Sequence, residues 1–138
     1  MTACRKGYGI SDTVTSFGIP LGMVTFKPAT AICLLTTSLV FSEAYGVEIS
    51  PAWFVVMIFT VTMLTLATPP VPGGALTAYT VLLTQLGIPS EALALALACD
   101  VVIDFFSTGF NQFLLPFALL NQASRLGMVD RKILTAKR

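Results

Sequence analysis

The chain has 138 residues, of which 55% are hydrophobic and 11% are charged, with a mean hydropathy of +0.84. Globular domains carry about 25% charged residues, so this composition excludes an ordinary soluble domain and predicts an integral membrane protein. The net charge is +1 and the sequence contains no histidine. Without histidine, a nucleophile–base pair or metal-ligand spacing, we expect neither an enzyme nor a resident cofactor, and without an aromatic-basic pattern we expect no nucleic-acid partner.

The basic residues cluster near the two ends of the sequence. Arg5 and Lys6 lie at one end, five basic residues follow position 124, and only Lys27 lies between them. Basic flanks favour the cytoplasmic side of a membrane. We therefore expect both termini to be cytoplasmic, with an even number of crossings through a plasma (inner) membrane.

The first apolar block runs from about residue 14 to 45 and is too long for one plain span of about 20 residues. It is interrupted by TFKPAT at positions 25–30. Because a proline and a charge both disfavour a helix interior in a membrane, we predict a broken transmembrane helix with a short unwound segment.

The next two blocks lie in 49–90, a stretch without any charged residue. The second block begins at Pro51, where proline suits a first helical turn, and the third ends at GIPS, 87–90. Its roughly 12 residues would extend only ~18 Å as a helix, against a hydrocarbon core of ~30 Å. A re-entrant helical hairpin over about 49–89 therefore fits better than two spans.

The fourth block, about 91–124, is predicted to be a long amphipathic transmembrane helix, followed by a cytoplasmic tail at 125–138. Its polar residues recur at helical spacing and predict one polar face directed into a helix bundle: they are Asp100, Asp104, Ser107, Thr108 and Asn111.

Three charged residues, Lys27, Asp100 and Asp104, lie deep in apolar blocks. Each charge costs about 2.5–3.5 kcal/mol on insertion scales, so such residues are usually functional. Two readings stay open: a substrate or ion site, or an ion pair, such as Lys27 with Asp104, that holds helices together.

Three motifs carry a family resemblance: GIS…SFGIPLG at 9–22, TPPVPGGALTAYTVLLTQLGIPSEALAL at 68–95, and DVVIDFFSTGFN at 100–111. They resemble the last third of the dicarboxylate/amino acid:cation symporters, the glutamate-transporter family. That region comprises a broken seventh helix, a re-entrant hairpin with a V-P-G tip, and an eighth helix with D-x-x-x-D, Arg-Thr and Asn. The resemblance covers about 8–124 and implies one partial transport-core domain over 1–138.

The resemblance also implies roles for individual residues. Asp104 would meet a substrate amino group, and Asp100 would have a supporting electrostatic role near the cation sites. The remaining implied substrate-binding residues are Lys27, Thr30, Val71, Pro72, Gly73, Ser107, Thr108 and Asn111, with Val71–Gly73 as the hairpin tip. The hairpin carbonyls implied for a sodium site are those of Thr65, Leu66 and Thr68.

The sequence departs from the family pattern at the charged positions. The family's carboxylate-clamping arginine falls at Ser107, and a sodium-ligand aspartate falls at Leu115. The Asn-Met-Asp-Gly-Thr break is replaced by FKPAT at 26–30, which puts Phe26 and Pro28 at two sodium-ligand positions and Lys27 next to them. We therefore hypothesise that Lys27 is a tethered cation that replaces bound sodium, neutralises Asp100 or Asp104, or receives a substrate carboxylate. Proton coupling is a variant of this hypothesis.

The sequence thus predicts an all-α integral membrane protein with a broken transmembrane helix, a re-entrant helical hairpin and a long amphipathic transmembrane helix. The leading functional hypothesis is symport of a small carboxylate or amino acid, with a coupling cation (sodium or proton) but not through the usual sodium sites. The family's first helices and its serine-rich hairpin are not in this sequence, so we expect a homo-oligomer or a separate N-terminal half as partner. The alternative is a non-transporting membrane subunit or degenerate fragment that packs on a partner.

Overall fold

The computed structural model describes residues 1–68, 74–130 and 132–133. A π-helical turn at Ala3–Gly7 precedes five α-helices: α1 (Asp12–Thr25), α2 (Pro28–Ala44), α3 (Pro51–Ala67), α4 (Gly74–Gln85) and α5 (Ala92–Arg125). Over these described ranges the only β-type pairing is an isolated bridge between Ile10 and Val129. The prediction of an all-α fold is therefore confirmed for this part of the chain.

Two helical stretches are long and apolar enough to cross a membrane. They are Asp12–Ala44, which includes α1 and α2, and Ala92–Arg125, which is α5. Only 17% and 11% of their most apolar windows are buried inside the protein. Most of their hydrophobic side chains therefore face outward, as expected for helices whose surroundings are lipid rather than water.

The helix ends follow from local sequence. The Ser50 side chain accepts a hydrogen bond from the Trp53 amide (3.2 Å), and Pro51 occupies the first turn of α3. At the end of α4, Gly87 has a φ of 70°, and the Ile88 amide bonds back to the Leu83 carbonyl at 2.9 Å. This left-handed turn favours glycine because it has no Cβ, so the GIPS motif ends the helix where the sequence predicts.

The chain divides into two compact units, Met1–Phe26 with Phe110–Arg138, and Lys27–Gly109. In the first unit α1 packs on the C-terminal half of α5 through two glycines one turn apart. A Cβ added at Gly18 would lie 2.5 Å from a Leu119 methyl group, and one added at Gly22 would overlap a Leu115 methyl group. The G-x-x-x-G spacing thus lets two membrane helices approach closely, as small residues commonly do in membranes.

The first unit also brings the start of α1 beside the end of α5. The Ser11 amide donates to the Met128 carbonyl at 3.1 Å, next to the Ile10–Val129 bridge. Gly127 ends α5 with a φ of 67°, and the Asp130 amide donates to the Gly9 carbonyl at 2.8 Å. The two termini of the described chain therefore leave this unit at the same end.

The second unit consists of α2, α3, α4 and the first half of α5 around one apolar core. Fully or nearly buried members come from all four helices and from the α4–α5 connection: Leu34, Phe41, Met57, Val61, Tyr79, Leu82, Leu83, Leu86, Ile88, Ala92 and Ala96. Between α3 and α4, the Trp53 indole N–H donates to the Leu86 carbonyl at 3.2 Å. This bond joins the beginning of α3 to the residue that follows α4, so it holds the first turn of α3 to the end of α4.

The contact between Gly22 and Leu115 gives a stability prediction. Gly22→Ala should lower the free energy of unfolding by about 1–3 kcal/mol because the new methyl group overfills a packed interface. Gly109→Ala is the matched control, because a Cβ there meets nothing within 4 Å. Thermal unfolding in detergent would measure both, and Gly22→Ala/Leu115→Ala should recover part of the loss. Equal stabilities for the two single variants would contradict the packing described here.

Candidate functional site

The candidate site starts at the interruption between α1 and α2. Lys27 precedes Pro28, the first residue of α2, and has φ −128° and ψ 56°, outside the helical region. A residue before proline is disfavoured in the helical conformation because the proline ring clashes with it. The Lys-Pro pair therefore ends one helix, starts the next, and places a half-buried lysine at the junction.

The Lys27 ammonium binds the open end of α3. Its Nζ donates a hydrogen bond to the main-chain carbonyl of Thr68, 2.5 Å away and 41 residues later in the sequence. Thr68 is the C-terminal cap of α3, with extended backbone angles of −69° and 118°. Carbonyls at a helix C-terminus carry partial negative charge and lack intrahelical donors, so a cation stabilises them by up to ~2 kcal/mol where partly buried.

Lys27 is not paired with either intramembrane aspartate. Among the residues that the structure describes, neither Asp100 nor Asp104 forms an ion pair with this lysine. The alternative in which Lys27 and Asp104 hold two helices together is therefore not what the structure has. The resemblance assigned the Thr68 carbonyl to a sodium site. In the structure this carbonyl accepts a hydrogen bond from Lys27 instead.

The polar residues of α5 divide into buried and exposed groups. Ser107 and Asn111 are 4% and 6% exposed, Asp100 is half-buried, and Asp104 and Thr108 are exposed. Helix geometry explains the difference, because Thr108 lies roughly 80° around the helix from Asp100. The polar face that points into the protein is thus narrower than predicted. Asp104 and Thr108 lie at its exposed edge, which we call the flank of α5.

Asp104 is bonded only within its own helix in the described residues. The Thr108 hydroxyl donates to the Asp104 carboxylate at 3.4 Å, and the Ser107 hydroxyl donates to the Asp104 main-chain carbonyl at 3.2 Å. A hydroxyl offers one donor where an arginine offers five. Ser107 therefore cannot clamp a carboxylate in the bidentate manner of a guanidinium, whereas the exposed Asp104 carboxylate is available to a ligand cation.

Asp100 has partners that sequence reasoning missed. The Tyr79 phenol of α4 lies close to the Asp100 carboxylate and to the Thr37 hydroxyl of α2. Tyr79 is 1% exposed. The only trace of this arrangement in the sequence is that Tyr79 lies within the uncharged helix α4 and that Thr37 lies within α2. Nothing in their spacing, however, indicates that they meet on Asp100.

The other positions implied for cations have mostly apolar or main-chain surroundings. The Thr65 hydroxyl donates to the Val61 carbonyl of its own helix at 2.7 Å, and the Leu66 side chain is 48% exposed. Leu115, at the position of a family sodium ligand, is 4% exposed and packs on Gly22. Thr30 lies half-buried in the first turn of α2. The implied tip, Val71–Gly73, lies outside the described residues.

The sequence is similar to those of several transport proteins. The chain is 26% identical over 107 residues to human excitatory amino acid transporter 2, an alignment that covers 78% of this chain and 19% of that protein. It is 25% identical over 104 residues to the proton/glutamate-aspartate symporter of Bacillus subtilis, covering 75% and 25%. With mouse excitatory amino acid transporter 3 the identity is 24% over 122 residues, covering 88% and 22%.

The chain thus spans about a fifth to a quarter of the length of these relatives. No solved structure matches it. The model of the sodium:dicarboxylate symporter family matches residues 1–113. Since this match covers well over half of the sequence, and two long apolar helices accompany it, the chain is an integral membrane protein that belongs to the sodium:dicarboxylate symporter family.

Proposed function

We propose that this chain forms part of the transport core of a secondary transporter for a small carboxylate or amino acid. The family match over residues 1–113 carries this proposal. The relatives with assigned names are amino acid transporters and symporters. A helix junction with a lysine and a helix with intramembrane aspartates suit such a site, because charged residues at membrane depth are costly unless function requires them.

In this proposal, α1 and α2 form a broken transmembrane helix and α3 and α4 form a re-entrant hairpin. α4 has 12 residues, which gives ~18 Å of helix against a ~30 Å hydrocarbon core. The Trp53–Leu86 bond at the base supports the hairpin. By the resemblance, Val71–Gly73 would be the tip of this hairpin and would cover bound substrate.

The substrate site combines the junction with α5. Asp104 would bind the amino group of an amino acid, with Thr108 and Asn111 lining the pocket and Ser107 replacing the arginine. The Lys27 ammonium has three donors and uses one for Thr68, so it is able to receive a substrate carboxylate as well. A substrate with one main carboxylate group fits this set better than one whose second carboxylate needs a guanidinium.

Coupling would not use the usual sodium sites. Hard cations need several oxygen ligands, and Leu115 supplies none while Lys27 already binds the Thr68 carbonyl. The resemblance implies a sodium site at the hairpin carbonyls of Thr65, Leu66 and Thr68. In this chain Lys27 would act as a fixed cation in place of that sodium ion. Asp100 would take the supporting electrostatic role.

We further propose a location in the plasma (inner) membrane with both termini cytoplasmic. The pairing of Ile10 with Val129 supports a common side for the two ends, and the basic flanks favour the cytoplasm. A complete transporter would form either as a homo-oligomer or with a separate N-terminal half.

The alternative is a non-transporting subunit that docks on a partner through the flank of α5. The exposure of Asp104 and Thr108 favours it, because polar side chains facing lipid are costly and a partner would cover them. Uptake of labelled L-aspartate, L-serine and succinate into vesicles separates the two functions. Uptake by the purified chain, or by the chain with a co-expressed N-terminal half, supports transport, and no uptake in either case supports the docking role.

The tethered-cation proposal predicts a loss of substrate binding in Lys27→Ala. Truncating one partner of a buried, hydrogen-bonded charge pair costs about 2–5 kcal/mol, so binding should weaken about 30-fold or more. Replacing sodium with choline should change wild-type binding little. Equilibrium binding of the same labelled substrates would measure both, with Lys6→Ala as the exposed-lysine control and Lys27→Arg as the charge-preserving variant. Strong sodium dependence of the wild type would contradict this proposal.

The Lys27–Thr68 bond also predicts a local effect on α3 that does not depend on substrate. Hydrogen bonds to charged groups contribute about 1.5–3 kcal/mol, so Lys27→Met should speed amide exchange in the last turn of α3, residues 64–68, by about tenfold or more. Exchange mass spectrometry of the chain in lipid nanodiscs would measure it. Exchange at the beginning of α3, near Trp53, should stay unchanged in the same sample. Unaltered exchange at 64–68 would show that the lysine does not hold this helix end.

A further inference from the structure

The N-terminal turn and the end of α5 pack together at one end of the first unit. Cys4 of the turn is buried in the same apolar cluster as Leu119 and Ala123 of α5. The rings of Tyr8 and Phe117 also pack across this contact, with their centroids 6.0 Å apart. Two stretches from opposite ends of the sequence therefore form one continuous surface of this unit.

Both stretches place basic side chains at this surface. Lys6 lies on the N-terminal turn, and Arg125 lies in the last turn of α5. Both side chains are exposed, and neither forms an ion pair within the described part of the chain. Arg5, by contrast, is paired with Asp12, with 2.9 Å between Nε and Oδ1, and its Nη2 donates to the Ser16 hydroxyl at 2.8 Å. Lys6 and Arg125 are therefore available to an external anion.

Charge is distributed very unequally between the two units. Counted over the sequence, the ranges of the first unit contain seven basic and two acidic residues, a net charge of +5. The range of the second unit contains one basic and five acidic residues, a net charge of −4. Three of these acidic side chains, Glu43, Glu48 and Glu91, are exposed at or next to helix ends. An anionic surface therefore attracts the first unit and repels these ends of the second.

Exposed apolar side chains lie directly beside the cations of the first unit. Leu126 and Met128, which follow Arg125 in the chain, are 67% and 45% exposed. At a membrane interface such side chains contact acyl chains, while lysine and arginine extend their charged ends toward the headgroups. A free inorganic anion would leave the apolar groups uncovered. The combination therefore favours a phospholipid over a soluble phosphate.

We propose that this surface binds an anionic phospholipid, with Lys6 and Arg125 on its phosphate group and Leu126 and Met128 against its acyl chains. The Arg125 guanidinium offers paired N–H donors that match two phosphate oxygens, and the Lys6 ammonium adds a point charge. Because one cation comes from each stretch, the site is complete only when the N-terminal turn is packed on α5. The proposal depends on insertion into a membrane and not on transport.

Native mass spectrometry of the full chain in an uncharged detergent would measure this site. Phosphatidylglycerol should bind more tightly than phosphatidylcholine, whose headgroup has no net charge. A basic residue near an anionic lipid surface contributes about fivefold in affinity, so Lys6→Gln and Arg125→Gln should each weaken phosphatidylglycerol binding about fivefold. Lys6→Arg should retain it. Ser90→Asp is the matched control, because it changes the net charge equally at an exposed position of the second unit and should leave binding unchanged.

Two outcomes of this titration would overturn the proposal. Complete displacement of phosphatidylglycerol by inorganic phosphate at constant ionic strength would show that the site recognises a free anion. A loss in Ser90→Asp equal to that in Lys6→Gln would show only diffuse attraction by net charge.

Thermal unfolding gives an independent measurement in the same detergent. Without lipid, the variants and the wild type should unfold at nearly the same temperature, because neither exposed cation has an acidic partner in the described residues. Phosphatidylglycerol should raise the unfolding temperature of the wild type more than that of Lys6→Gln/Arg125→Gln, since a ligand stabilises the state that binds it. Equal increases would overturn the site. None of these measurements involves transport, so a failure of the transport function would leave their results unchanged.

Discussion

The bond between the Lys27 ammonium and the Thr68 carbonyl satisfies two groups that are each costly in an apolar environment. A lysine at membrane depth needs an acceptor, and the last carbonyls of a helix need donors. Here each supplies what the other lacks, at 2.5 Å. Because Lys27 directly precedes α2 and Thr68 directly follows α3, the same contact joins an end of each helix within the Lys27–Gly109 unit. The chain can therefore break its helices beside this point without leaving either group unsatisfied.

The structure shows what the residues do at the positions where the sequence departs from the family pattern. Leu115, which the resemblance aligns with a sodium-ligand aspartate, lies against Gly22 and is a helix-packing residue in this structure. Ser107 is buried and bonded to its own helix. In the proposed transport core, the positive charge at the helix junction would come from Lys27, whose ammonium binds the Thr68 main-chain carbonyl.

Local chemistry allowed much of the fold to be predicted. Ser50 with Pro51, Lys27 with Pro28, and Gly87 with its following proline are signals that act within a few residues, and the helices begin or end beside each of them. Close helix approach through Gly18 and Gly22 emerged only from the structure, where the two glycines meet Leu119 and Leu115. The site was less predictable. A main-chain carbonyl has no sequence signature, so the Lys27–Thr68 bond could not be anticipated, and the meeting of Tyr79 with Asp100 depends on the packing of three helices.

The position of Trp53 has a practical consequence. It is the only tryptophan in the sequence, and its indole N–H is bonded to the Leu86 carbonyl at the base of the α3–α4 pair. Indole emission is sensitive to hydrogen bonding and to local polarity. The chain consequently contains an intrinsic optical reporter at the point about which α3 and α4 would separate, and a ligand that moves this pair could be followed by fluorescence without attaching any label.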